Sequence, residues 1–145
     1  MSITHSVLRQ LSSQSGLPGL AFDDSGLCQL RVDDLKLALY DNHALNCLTL
    51  LCELPTLPAH APDPSTHARL ALTYQFKALH EDMPIIGLNS PSNTLVAMQH
   101  LPLTQLSIER LSQAIGALID WSNNWESELA ALESASDAPR PHSYV

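Results

Sequence analysis

Between Leu20 and Leu54 the hydrophobic pattern takes a period of two. Cys28, Leu30 and Val32 alternate with Gln29, Arg31 and Asp33, which is the signature of a strand with one buried face. Leu35, Leu37 and Leu39 repeat the alternation, and a third apolar run extends from Ala44 to Leu54. Acidic turn chemistry separates the runs, at Asp23-Asp24-Ser25-Gly26, Asp33-Asp34 and Asp41-Asn42-His43. Asx side chains bond local amides there, and Gly26 is free to take positive φ. The pattern predicts a three-stranded antiparallel meander.

On either side the period lengthens to that of a helix. Ile3, Val7, Leu8 and Leu11 predict a helix over 2–15, capped by Ser2 and ended by Gly16 and Pro18-Gly19. Pro55 to Pro64 is proline-rich, and without amide donors it reads as a surface crossover. Ala68, Leu72, Phe76 and Leu79 form a stripe over 65–82, widened by Leu70 and Tyr74. Met83–Leu88 and Thr94–Leu101 read as a hairpin about Asn89–Asn93. Leu111, Ile115, Leu118, Trp125, Leu129 and Leu132 mark one long helix over 104–132, with Ile108 and Ile119 on its flanks. The expected fold is α+β in the order α-β-β-β-α-β-β-α, a twisted, mainly antiparallel sheet flanked by helices. It forms one domain over 1–132, with 133–145 expected to be a disordered tail.

A chain of 145 residues buries a core without staples. Its net charge of −8 repels phosphate backbones and anionic lipid, which argues against nucleic-acid and membrane-surface roles. Three cysteines, Cys28, Cys47 and Cys52, fall within strand runs and no secretory leader precedes them, so reduced thiols in a cytoplasm are expected. No apolar run approaches the roughly 20 residues needed to span a bilayer.

Enzyme signatures are missing from the sequence: no GxSxG, no Gly-rich phosphate loop, no HExxH and no CxxC. His60 and His67 have no cysteine at ligand spacing, and a zinc site needs three or four ligands, so they read as scattered polar surface. The paired aspartates are explained by their turns. Trp121 and Trp125, at i and i+4, read as cover for a core edge. What stands out is excess apolar surface. Cys28, Leu30, Val32, Leu35, Leu37, Leu39, Leu48, Leu50, Cys52 and Leu54 share one face. The other face holds Leu27, Ala38, Tyr40, Leu45, Cys47 and Leu51 among Gln29, Arg31, Lys36 and Thr49. That mixture is too apolar for a wet sheet face and too charged for a sealed core, so it suits a binding surface.

The segment LAFDDSGLCQLRVDD, the acidity, the size and the element order resemble the class I chaperones of bacterial type III secretion, the Tir chaperone-like family. The resemblance covers about residues 1–132; the proline-rich loop and the tail depart from it. It implies a cytoplasmic, virulence-linked homodimer without catalysis, cofactor or ATP. Its partner is the N-terminal segment of a secreted effector, held extended, soluble and competent for export. The dimer contact is expected at Leu72, Phe76, Leu79 and Ile86. The effector groove is expected between the first helix and the open sheet face, at Ile3, Val7, Leu27, Arg31, Lys36, Tyr40, Leu45, Cys47 and Leu51. Two alternatives differ in class. A small ligand-binding domain or enzyme with a helix–sheet pocket needs a convergence such as His43, Asp41 and His100. An antitoxin-like acidic protein would instead bind a basic folded partner.

Overall fold

A computed structural model describes residues 2–55, 64–78 and 82–136. Helix α1 (Ile3–Ser15) leads into strands β1 (Leu27–Val32), β2 (Leu35–Asn42) and β3 (Cys47–Glu53). Helix α2 (Pro64–Lys77) follows, then β4 (Ile85–Asn89), β5 (Thr94–Pro102), a short 3-10 turn at Leu103–Gln105 and helix α3 (Ile108–Ser136). The predicted order therefore holds, and the family-like meander is in place. The strands form one antiparallel sheet in the order β1-β2-β3-β5-β4. The hairpin returns β5, not β4, to the meander.

Local chemistry sets the boundaries. The Ser2 side chain accepts from the His5 amide at the start of α1, and Gly16 closes the helix at φ 71°. Ser107 Oγ accepts from the Arg110 amide at 3.1 Å and caps α3. Asp33, Asn46 and Asn93 lie in the three hairpin turns at φ 53°, 53° and 56°, the left-handed region that Asn and Asp tolerate best among side-chain-bearing residues. Several boundaries differ from expectation. Helix α2 ends at Lys77 rather than Asp82, and α3 starts later, at Ile108, and runs to Ser136. The four residues Glu133–Ser136, expected in the tail, extend the helix. Residues 137–145 and most of the proline-rich loop, 56–63, lie outside the described residues.

All three helices pack on one side of the sheet. Val7, Leu8 and Leu11 of α1, Ala71 of α2, and Leu111, Ile115, Leu118 and Trp125 of α3 share a core with Leu37, Leu39, Leu48, Leu50, Cys52, Leu54, Ile86, Ala97 and Leu101. On α2 the inward residues are Leu70, Ala71 and Tyr74, and Tyr74 meets Trp125 edge-on at 5.8 Å. The stripe read from the sequence is therefore the outward one: Leu72 and Phe76 are 65% and 72% exposed. Small Ala71 and Ala78 let the helix sit close to the body.

Candidate functional site

The FDDSG segment that carries the family resemblance is a built turn. Asp23 Oδ1 accepts from the Ser25 and Leu27 amides at 2.9 and 3.0 Å and from the Ser25 hydroxyl at 2.7 Å. The Leu27 amide first, then the Ser25 hydroxyl, hold this carboxyl below its ordinary pKa. Gly26 takes φ 86°, its amide donates to the Asp23 carbonyl, and its own carbonyl accepts from the Asp41 amide at 2.9 Å. The segment thus fixes where β1 enters beside β2, and its conspicuous residues are structural.

Opposite the helices lies an open sheet face, and its residues follow from the register. Leu27 pairs Tyr40, Gln29 pairs Ala38 and Arg31 pairs Lys36 across β1 and β2. Ala38 then pairs Leu51, and Leu51 pairs Met98 across β3 and β5. None of Leu27, Ala38, Tyr40, Leu51, Val96 or Met98 belongs to the helix-packed core. A hollow of about 580 Å³ lies on this face, lined by Leu27, Gln29, Arg31, Lys36, Ala38, Leu51, Glu53 and Val96, among others. Tyr40 on β2 and Leu45 in the β2–β3 turn are exposed, at 37% and 59%. Aliphatic floor and charged margins are the anatomy of a protein interface rather than of a reaction centre.

The expected site residues divide between the open face and the buried core. Leu27, Arg31, Lys36, Tyr40 and Leu51 share the open face. Ile3 is 44% exposed, but α1 packs on the other side of the sheet, so the expected groove between the first helix and the open face does not form. Val7 is only 4% exposed, because its position on α1 points into the core with Leu8 and Leu11, so it is no surface anchor. Cys47 is buried as well, with Sγ 3.6 Å from both Thr49 Oγ1 and His100 Nδ1. It belongs to a small polar cluster rather than to the apolar floor. Ile86 is a further correction: it pairs Ala97 on the helix side and is buried, while its neighbour Ile85 is 50% exposed. Leu79 lies outside the described residues. The sequence reading missed Ile85, Leu88, Val96 and Met98; Ile85 pairs Met98 on the open face, Leu88 pairs Leu95 on the helix side, and each is half exposed.

The polar convergence required for a pocket enzyme does not form. Asp41 Oδ2 lies 3.4 Å from His43 Nε2, but His100 projects from the opposite sheet face and bonds Thr49 at 2.9 Å. Among the described residues no group of three or more His, Cys, Asp or Glu is placed to hold a metal ion, and no helix is long and apolar enough to cross a membrane.

Solved structures share this fold, three of them as follows. The chain matches one in the structure of the HopA1-SchA chaperone-effector complex with TM-score 0.70 and 24% identity, covering 88% of this chain and 98% of that one. A second, in the ExsC-ExsE complex, gives TM-score 0.76 and 17% identity, covering 89% and 97%. A third, the Yersinia pestis type III secretion chaperone SycH in complex with a stable fragment of YscM2, gives 0.60 and 13%, covering 83% and 97%. No curated protein matches the chain. The model of the Tir chaperone protein (CesT) family matches residues 6–126, nearly the whole folded body, and the chain belongs to that family.

Proposed function

We propose that the protein is a type III secretion chaperone that holds the N-terminal segment of a cognate effector extended, soluble and ready for export. The observation that carries this reading is the uncovered sheet face, with its aliphatic hollow bordered by Arg31, Lys36 and Glu53. An extended segment supplies side chains at alternate positions to such a floor and main-chain groups to a sheet edge. The two edges are not equivalent. At β4 the Ile86 amide already donates to Gln75 Oε1 of α2 at 2.8 Å, so the β1 edge suits strand addition better. The SchA, ExsC and SycH structures, each solved in complex with a binding partner, support the same mode. The protein works by binding, without catalysis or cofactor, in the bacterial cytoplasm. It pairs with a second copy through the outward apolar stripe of α2, Leu72 and Phe76.

Co-expression with the product of the neighbouring open reading frame as a candidate effector, followed by pull-down and thermal melting, tests the surface. Leu45→Ala, at a 59%-exposed position, is expected to weaken capture by about 1–3 kcal/mol with the melting temperature nearly unchanged. Intact capture with a loss of roughly 2–5 kcal/mol in folding stability would mark the position as core and defeat the reading.

A further inference from the structure

The Asp23 turn decides what the β1 edge can offer. The Gly26 carbonyl accepts from the Asp41 amide, which makes those two residues a hydrogen-bonded pair. Alternation along the ladder then makes Leu27, Gln29 and Arg31 non-hydrogen-bonded positions against β2, with their amides and carbonyls turned outward. Asp23 takes up the outward groups of Leu27. Its amide donates to the Leu27 carbonyl at 2.8 Å, and its Oδ1 accepts from the Leu27 amide at 3.0 Å. On β1 this leaves Gln29 and Arg31 to receive an added strand. Arg31 stands opposite Lys36, at a position where facing side chains come closest. Both are exposed, and among the described residues neither forms an ion pair, although Glu53 lines the same hollow. On the helix side of β1, Leu30 and Val32 are only partly buried.

We infer that the client segment carries one carboxylate flanked on both sides by aliphatic residues, and that Arg31 and Lys36 hold it. Side chains alternate along an added strand, and neighbours across a ladder share a face. The client residue beside Arg31 therefore lies on the open face, with Lys36 one strand further in. Its two chain neighbours turn to the helix side, beside Leu30 and Val32, and extend the core there. The carboxylate relieves the repulsion between the two cations and accepts a forked contact from the guanidinium. The net charge of −8 disfavours a client that is acidic throughout. The match is to a single acid within an apolar segment. This inference rests on the proposed capture of an extended segment and adds the residue that fixes its register.

The test selects a random peptide library, displayed on phage, against the immobilised full-length protein. Enriched peptides are expected to share an aliphatic–acid–aliphatic triplet. The double variant Arg31→Gln, Lys36→Gln should still enrich aliphatic residues but lose the acid. Arg31→Glu with Lys36→Glu should enrich a basic residue in its place. In the strongest wild-type binder, replacing the acid by its amide should weaken binding roughly three- to tenfold at low salt, and less as salt rises. The same replacement should change nothing on the glutamine variant. Both positions are exposed, so the variants should melt as the wild type does. Aliphatic enrichment without an acid, an acid preference that survives in the glutamine variant, or an amide peptide that binds wild type equally well overturns the inference and leaves the capture reading standing. If the wild type enriches no peptide, the capture reading itself fails.

Discussion

Phe76 offers the sharpest test of the paired state. It sits on the outward side of α2, 72% exposed in the single chain, beside Leu72 at 65%. A Phe buries roughly 150–250 Å² when fully covered, so about 140 Å² remains to be covered by a second copy. At ~25 cal/mol per Å² that is up to about 3.5 kcal/mol for each Phe76. A twofold contact holds two of them. Association also costs ordering and immobilisation, so about 2–3 kcal/mol per residue is the realistic loss for Phe76→Ala. The sum for two copies is roughly 4–6 kcal/mol, a weakening of the dimer by about 10³- to 10⁴-fold. Sedimentation velocity at tens of micromolar is expected to give dimer for the wild type and monomer for the variant. Because the side chain is exposed in the single chain, the fold itself should lose less than about 0.5 kcal/mol. Emission from Trp121 and Trp125, which stack at 5.5 Å beneath Tyr74, reports whether α2 is still docked. A variant that stays dimeric, or that loses its tryptophan environment together with its fold, would refute the assignment of this stripe.

Two further predictions address the turn that sets β1. The folded-state pKa of Asp23 is depressed by the Leu27 amide and the Ser25 hydroxyl. Its contribution to stability is therefore present above the unfolded value of about 3.9 and lost as pH falls through the lower folded value. Asp23→Asn should flatten that acid limb, and melting curves that fall with acid as steeply as wild type would contradict this. Gly26→Ala places a Cβ on a residue at φ 86° and should cost about 1–2 kcal/mol by denaturant midpoint. An unchanged midpoint would mean the turn relaxes freely.

Most of the fold was legible because its signals are local. Alternation in Cys28–Val32 and Leu35–Leu39 gave both the strands and the buried face, since one strand's parity is read directly from its sequence. The open face was legible for the same reason on β1, β2 and β3. Its continuation onto β5 was not. Val96 and Met98 join it because β5 inserts between β3 and β4, and a hairpin's own sequence does not say which of its strands meets the rest of the sheet. The Ile85-Ile86 doublet was misassigned by one residue for a related reason: with both neighbours apolar, only the pairing of Ile86 with Ala97 fixes which one turns inward. On α2, Leu70, Leu72, Tyr74 and Phe76 make both sides apolar, so periodicity alone could not choose the packed side. The Cys47–Thr49–His100 cluster spans 53 residues of sequence and is created by the β3–β5 register alone.

The two uncovered apolar regions are built differently, and the difference matches two kinds of partner. On α2 the exposed large apolar residues are Leu72 and Phe76, with exposed Arg69 one turn before Leu72 on the same stripe and Lys77 next to Phe76 in sequence. Surface of that kind costs solubility whenever it is bare, so it suits a permanent contact with an identical copy. The open face instead sets half-buried Leu27, Ala38 and Leu51 between charges, with Arg31 directly opposite Lys36 and Glu53 on the same hollow. Like charges facing across a ladder are unfavourable by roughly 0.2–1 kcal/mol, a burden that a purely structural sheet face would shed by substitution. A face that is emptied and refilled with each exported client gains from that arrangement. The charges interrupt the apolar floor while it is empty and guard the sheet against pairing with stray strands. The aliphatic anchors supply affinity once a segment lies across them. On the proposed reading, the apolar stripe of α2 suits a second copy, and the half-buried anchors of the open face suit an exchangeable segment.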